Sequence, residues 1–137
     1  MTGALTRRET RRLIEAATAA PSIYSNQPWR FVIKPAERMI EICADPSRML
    51  RGGDPHGRAV HIACGAALFN LRLAAFHEGM EPVTRLLPQP RNPLLLAQVR
   101  LAGRYRSRQA DRDLYSALGR VGTGRQQGVS RNLMAVL

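Results

Sequence analysis

The first apolar positions with a helical period lie between residues 7 and 19. Leu13, Ala16, Ala17 and Ala20 can share one face, while Arg7, Arg8, Arg11 and Arg12 sit mostly toward solvent. Thr6 suits the N-cap of this helix, Glu9 completes a capping box, and Pro21 stops it by pushing the preceding residue out of the α region. Trp29-Arg30-Phe31-Val32-Ile33 and Met39-Ile40-Glu41-Ile42-Cys43 then read as strands, joined by the turn Lys34-Pro35-Ala36-Glu37 in a predicted hairpin.

A long helix is predicted over about residues 56–78, with Asp54 at the N-cap, Pro55 at N1 and Gly79 at C′. At 1.5 Å per residue it would be ~35 Å long. Its middle, Ile62-Ala63-Cys64-Gly65-Ala66-Ala67-Leu68, is apolar or small nearly all round, the pattern of a helix buried on several sides. Gly65 costs ~1 kcal/mol of helix propensity relative to Ala, which close packing by another backbone would offset. A partner surface over Gly65 and Ala66 is therefore expected, from a second copy or a second half-domain. Further strands are predicted at Val83–Leu87 and Leu94–Leu101, and a short helix at Asp111–Leu118. Beyond Gly119 the pattern fades.

The length of 137 residues suits one domain, and 45% hydrophobic with 23% charged residues argues against global disorder. No apolar run reads as a membrane span, which needs ~20 residues. The first twelve residues show no secretory pattern, and Cys43 and Cys64 are too few for a disulfide framework. Cytoplasmic localisation is the resulting expectation. The net charge of +11 comes from 20 arginines and Lys34 against ten acids, a skew that looks like genome composition. Residues 100–137 hold eight arginines against Asp111 and Asp113, so a basic nucleic-acid-binding module is one alternative. Tyr105 and Tyr115 are the aromatics there, and no recognised nucleic-acid motif accompanies them, so nucleic acid is not the expected partner.

The most informative stretch is Pro21-Ser22-Ile23-Tyr24-Ser25-Asn26-Gln27-Pro28-Trp29. Hydroxyls and amides concentrated in one loop can offer several donors to a polar ring system without a charged group. The same groups, Ser22 and Asn26 above all, can equally satisfy the local backbone. His56, His61 and His77 do not give metal-ligand spacing, and His61 with Cys64 lacks a third ligand. Trp29, Cys43 and Cys64 read as core residues. No Gly-x-Gly-x-x-Gly follows a strand, so a Rossmann site is not indicated.

Pro-Ser-x-x-x-x-Gln-Pro-Trp after an alanine-rich helix resembles the FMN-dependent nitroreductase family. Asp54-Pro55-His56-Gly57-Arg58 with Cys64-Gly65-Ala66-Ala67-Leu68, Arg72, Ala74 and Gly79 looks like its Acg-type subfamily of NAD(P)H nitroreductases. The resemblance covers about residues 10–105. It implies an α+β, three-layer α-β-α nitroreductase fold, present here as an incomplete N-terminal half. The expected division is residues 1–105 as that half-domain and residues 106–137 as a basic C-terminal tail, expected to belong to a truncated or frame-shifted product. The implied activity is FMN-dependent oxidoreduction, with NAD(P)H as donor and a nitroaromatic or quinone-like acceptor, the small aromatic substrate. FMN would sit between two halves, in a homodimer or against a second half-domain; the truncated chain alone would lack turnover, with a flavin-sequestering pseudoenzyme as the alternative. Ser22, Ser25, Asn26 and Gln27 are the implied cofactor contacts, and no catalytic residue is assigned. The family reads Asn-Ser-Gln-Pro-Trp where this chain reads Ser25-Asn26-Gln27-Pro28-Trp29, so Ser25 takes the flavin-contacting position. The arginine-serine motif that grips the FMN phosphate in typical members is absent, with Arg7, Arg8 or Arg11 as stand-ins.

Overall fold

The computed structural model describes residues 3–21, 27–48, 56–121 and 135–136. The first helix, α1 (Arg7–Thr18), opens with the anticipated capping box. Glu9 N–H donates to Thr6 Oγ1 at 3.1 Å and Thr6 N–H donates to Glu9 Oε1 at 2.9 Å. Leu13, Ile14, Ala16 and Ala17 are buried along its inner face. Strands β1 (Trp29–Lys34) and β2 (Met39–Ala44) form the expected hairpin, running antiparallel from Trp29↔Ala44 to Lys34↔Met39.

The long helix α2 spans Arg58–His77. Its N-cap is Gly57, at φ +70°, and not Asp54, which lies with Pro55 outside the described residues. Glycine takes that left-handed turn without a Cβ clash, and the helix starts two residues later than expected with no side-chain cap. At the other end Gly79 holds φ +78° at C′, as expected, and reverses the chain at once. Strand β3 (Met80–Leu86) therefore begins three residues earlier than the sequence pattern suggested. The added residues include Pro82, a residue disfavoured in strand interiors. It is tolerated because β3 lies at the edge of the sheet, where a missing N–H breaks no central ladder. Strand β4 (Leu95–Arg104) follows, then α3 (Gln109–Val121), longer than the anticipated Asp111–Leu118, and a two-residue strand β5 (Ala135–Val136).

The sheet order is β3-β4-β2-β1-β5, with β5 parallel to β1 and the other neighbours antiparallel. One face carries Trp29, Phe31, Ile33, Ile40, Ile42, Val99 and Leu101 into a core shared with Leu13 and Ala17 of α1 and Ala67, Leu71 and Ala74 of α2. Two of the expected three layers are thus supplied by the described residues. α1 and α2 run antiparallel. The Asn70 amide donates to Ala16 O at 3.1 Å, and Arg12, expected in solvent, meets Glu78 at 3.2 Å. By length and composition α2 could cross a membrane, contrary to the sequence expectation, yet half of it is buried against the sheet and α1 as a core helix is.

Helix α3 docks on the C-terminal end of α2. The rings of His77 and Tyr115 stack at 4.0 Å and 5°, and Phe76 meets Tyr105 at 4.5 Å. Asp111 fixes this junction. It is buried and accepts from Arg108 N–H at 2.9 Å and Tyr105 O–H at 3.0 Å. The Arg108 backbone N–H, helped by the Tyr105 hydroxyl and the Arg108 guanidinium, holds its carboxyl below the usual carboxylate range. A carboxyl whose pKa is lower folded than unfolded adds stability above its unfolded pKa and loses it as pH falls through the folded value. Asp111→Asn should therefore lower the melting temperature at pH 7. The gap between variant and wild type should close as pH falls below the ordinary carboxylate range, as followed by circular dichroism.

Candidate functional site

The site suggested by the sequence lies where α1 ends and β1 begins. Ser22, Ser25 and Asn26 fall outside the described residues, so Gln27 is the one anticipated cofactor contact whose position is given. Gln27 is buried and already engaged in interactions of its own. Its backbone sits at φ +49°, in the left-handed region that non-glycine residues seldom occupy. That bend turns the chain from the loop into β1. Pro28 O accepts from Asp45 N–H at 2.8 Å, tying the loop's exit to the end of β2. Asp45 in turn caps the 3-10 turn Pro46–Arg48 through Ser47 and pairs with Arg48 at 3.6 Å.

Trp29 is core, as anticipated, at 1% exposure and in tilted contact with Phe31 at 6.4 Å. Its indole N–H is buried and has no acceptor among the described residues. An unmade buried hydrogen bond costs about 1–3 kcal/mol, so this donor is the loop's clearest polar vacancy for an acceptor-bearing ligand. Cys64 of α2 is buried and inert as a nucleophile. Burial pushes its thiol up to about 12, with nearby Cys43 adding to the shift. Burial likewise raises the Cys43 thiol.

The outer side of α2 differs sharply from its inner side. Ile62 is 73% exposed and Phe69 56% exposed, and a Cβ built on Gly65 between them would meet nothing within 4 Å. Ala66 is half-buried. These four positions, spaced i, i+3, i+4 and i+7, make one apolar stripe. Among the described residues nothing lies within 4 Å of a Cβ built on Gly65, the residue for which a partner surface was anticipated. Ile62 and Phe69 were not singled out from sequence, although their spacing around Gly65 carries the signal.

These residues fit a flavin incompletely. Arg7, Arg8 and Arg11 are exposed on the first turns of α1, about 10 to 16 Å of helix from its loop end. Arg48, which reaches the loop through Asp45, is held by the Asp45 carboxylate. Among the described residues there is a wall and an orphaned donor, and no cluster of cations beside the loop to hold a phosphate.

No protein-family model matches the chain. A protein of Mycobacterium tuberculosis named "Putative NAD(P)H nitroreductase" is 32% identical over 118 residues, covering 77% of this chain and 34% of that protein. A second from the same organism, "Putative NAD(P)H nitroreductase acg", is 31% identical over 86 residues, 63% of this chain and 25% of its own length. A solved nitroreductase family protein from Clostridium novyi superposes with a TM-score of 0.65 at 14% identity, covering 99% of this chain and 85% of that one. The chain has the nitroreductase fold and is a homologue of nitroreductases. A further structure, titled a "Putative NADH dehydrogenase/NAD(P)H nitroreductase" from Parabacteroides distasonis, gives a TM-score of 0.59 at 21% identity over 80% of this chain and 82% of that one. This nitroreductase homologue spans about one third of the length of the first curated relative it matches.

Proposed function

We propose that the chain contributes one wall of an FMN site in an NAD(P)H-dependent oxidoreductase that reduces nitroaromatic or quinone-like acceptors, and that a second copy supplies the rest. The observation that carries this reading is the exposed Ile62-Gly65-Phe69 stripe on α2, whose inner face shares a core with Trp29 at the exit of the loop. A site with one finished wall and an unpartnered apolar flank is built to be completed by another surface. FMN, when bound, supplies hydride acceptance from the nicotinamide and electron delivery to the acceptor. The chain's own part is binding and shielding. Ser22, Ser25 and Asn26 offer neutral hydrogen-bonding groups, Gln27 sets the bend, Trp29 anchors it in the core, and the stripe excludes water once covered. A phosphate needs charge-assisted donors, which the partner or the arginines of α1 would provide.

The functional assay is NAD(P)H oxidation by purified protein preincubated with FMN, with a nitroaromatic as acceptor. Nitroaromatic-dependent oxidation above the rate of free FMN supports the reading. FMN that is retained on gel filtration without such oxidation would support the sequestering role in place of the enzymatic one.

A further inference from the structure

The β1–β2 ladder ends on a residue that cannot complete it. Past the Trp29↔Ala44 pair, the next position beside β2 is Pro28, opposite Asp45. Asp45 N–H donates to Pro28 O at 2.8 Å, but a proline has no N–H to return to Asp45 O. That carbonyl accepts instead from Arg48 N–H at 3.0 Å, which closes the 3-10 turn Pro46–Arg48. The ladder is thus exchanged for a turn at Asp45, and the Asp45 side chain fixes the exchange. Its Oδ1 accepts from Ser47 N–H at 3.0 Å and from the Ser47 hydroxyl at 2.7 Å, and its Oδ2 lies 3.6 Å from Arg48 Nε.

What this junction holds is a strained residue. Gln27, just before Pro28, has φ +49°, whereas a residue preceding proline favours extended backbone. A non-glycine residue persists in the left-handed region only where its surroundings over-determine it. On one side the burial of Gln27 itself supplies the constraint. On the other, Trp29 is locked in the core and Pro28 O is clamped by Asp45 N–H. The direction of that N–H follows the backbone of Asp45, which the turn formed by its own carboxylate sets. The carboxylate is partly exposed, so replacing it opens no void in the core.

We propose that Asp45 is a positioning residue for the Gln27–Trp29 bend, and through that bend for the candidate flavin site. Its link to FMN rests on the function proposed for the site, whereas its clamp on the bend does not. Geometry rather than charge is the requirement. An asparagine oxygen can take the place of the aspartate oxygen opposite Ser47 N–H. Glutamate keeps the charge near Arg48 but, one methylene longer, misplaces the acceptor.

Trp29 is the chain's single tryptophan and adjoins the bend, so its fluorescence reports the clamp without any ligand. The test measures acrylamide quenching of Trp29 and FMN affinity in the full chain and in Asp45→Ala, Asp45→Glu and Asp45→Asn, each shown to be folded by circular dichroism. Asp45→Ala and Asp45→Glu should raise the quenching constant about 2-fold or more and weaken FMN binding about 5- to 10-fold. Asp45→Asn should stay within about 2-fold of wild type in both. Asp111→Asn, whose contacts lie past the far end of β4, should lower the melting temperature and move neither readout. The proposal is overturned if Asp45→Ala leaves Trp29 quenching unchanged, if Asp45→Asn loses as much as Asp45→Ala, or if Asp111→Asn raises quenching equally. Raised quenching with unchanged FMN affinity would confine Asp45 to the fold and overturn its role in the site. If wild type takes up no FMN, the flavin reading fails, and quenching alone decides the clamp.

Discussion

Trp29→Ala is expected to leave the chain largely unfolded at 37 °C. The indole is the largest fully buried side chain and sits where α1, β1 and the bend at Gln27 meet. Truncating a buried aromatic costs about 3–5 kcal/mol, a large share of the ~5–15 kcal/mol that stabilises a typical domain. Urea denaturation should show the midpoint falling accordingly. Trp29→Phe separates packing from hydrogen bonding. It keeps most of the ring and removes an N–H that has no acceptor among the described residues, so it should cost only about 1–2 kcal/mol. If the orphaned donor serves a ligand, Trp29→Phe should weaken flavin uptake by more than it lowers the urea midpoint.

Ile62→Glu combined with Phe69→Glu should abolish self-association while leaving the fold intact. Both side chains are more than half exposed on α2 in the single chain, so charging them disturbs few internal contacts. Covering them by a second copy would bury apolar surface worth ~1.5–3 kcal/mol per side chain. A self-complementary interface repeats each residue on both subunits, so the pair of substitutions should weaken dimerisation on the order of 100-fold or more. Sedimentation equilibrium of wild type and variant reads this directly. Unchanged association would place the interface elsewhere, and a cooperative melt retained by the variant separates the result from misfolding.

Local features were legible before the fold was known. The Thr6–Glu9 box, the β1–β2 hairpin and Gly79 at C′ each depend on residues a few positions apart. The start of β3 was not legible, because Pro82 argues against a strand unless its edge position is known. The α2 N-cap was misplaced for a related reason. Asp54-Pro55 carries the standard start signal, while Gly57 wins through a backbone conformation that composition does not reveal. The sequence marked Gly65 as a close-approach point but not which side of α2 would remain bare, since that depends on where α1 and the sheet pack.

The central claim is that the flavin site is shared between two copies. FMN titration across a range of protein concentrations tests it most directly, with flavin fluorescence and sedimentation followed on the same samples. The account predicts that FMN is taken up in step with dimer formation and is lost in the Ile62→Glu, Phe69→Glu variant. Tight FMN binding by the monomer, or a stable dimer that takes up no FMN, would contradict it.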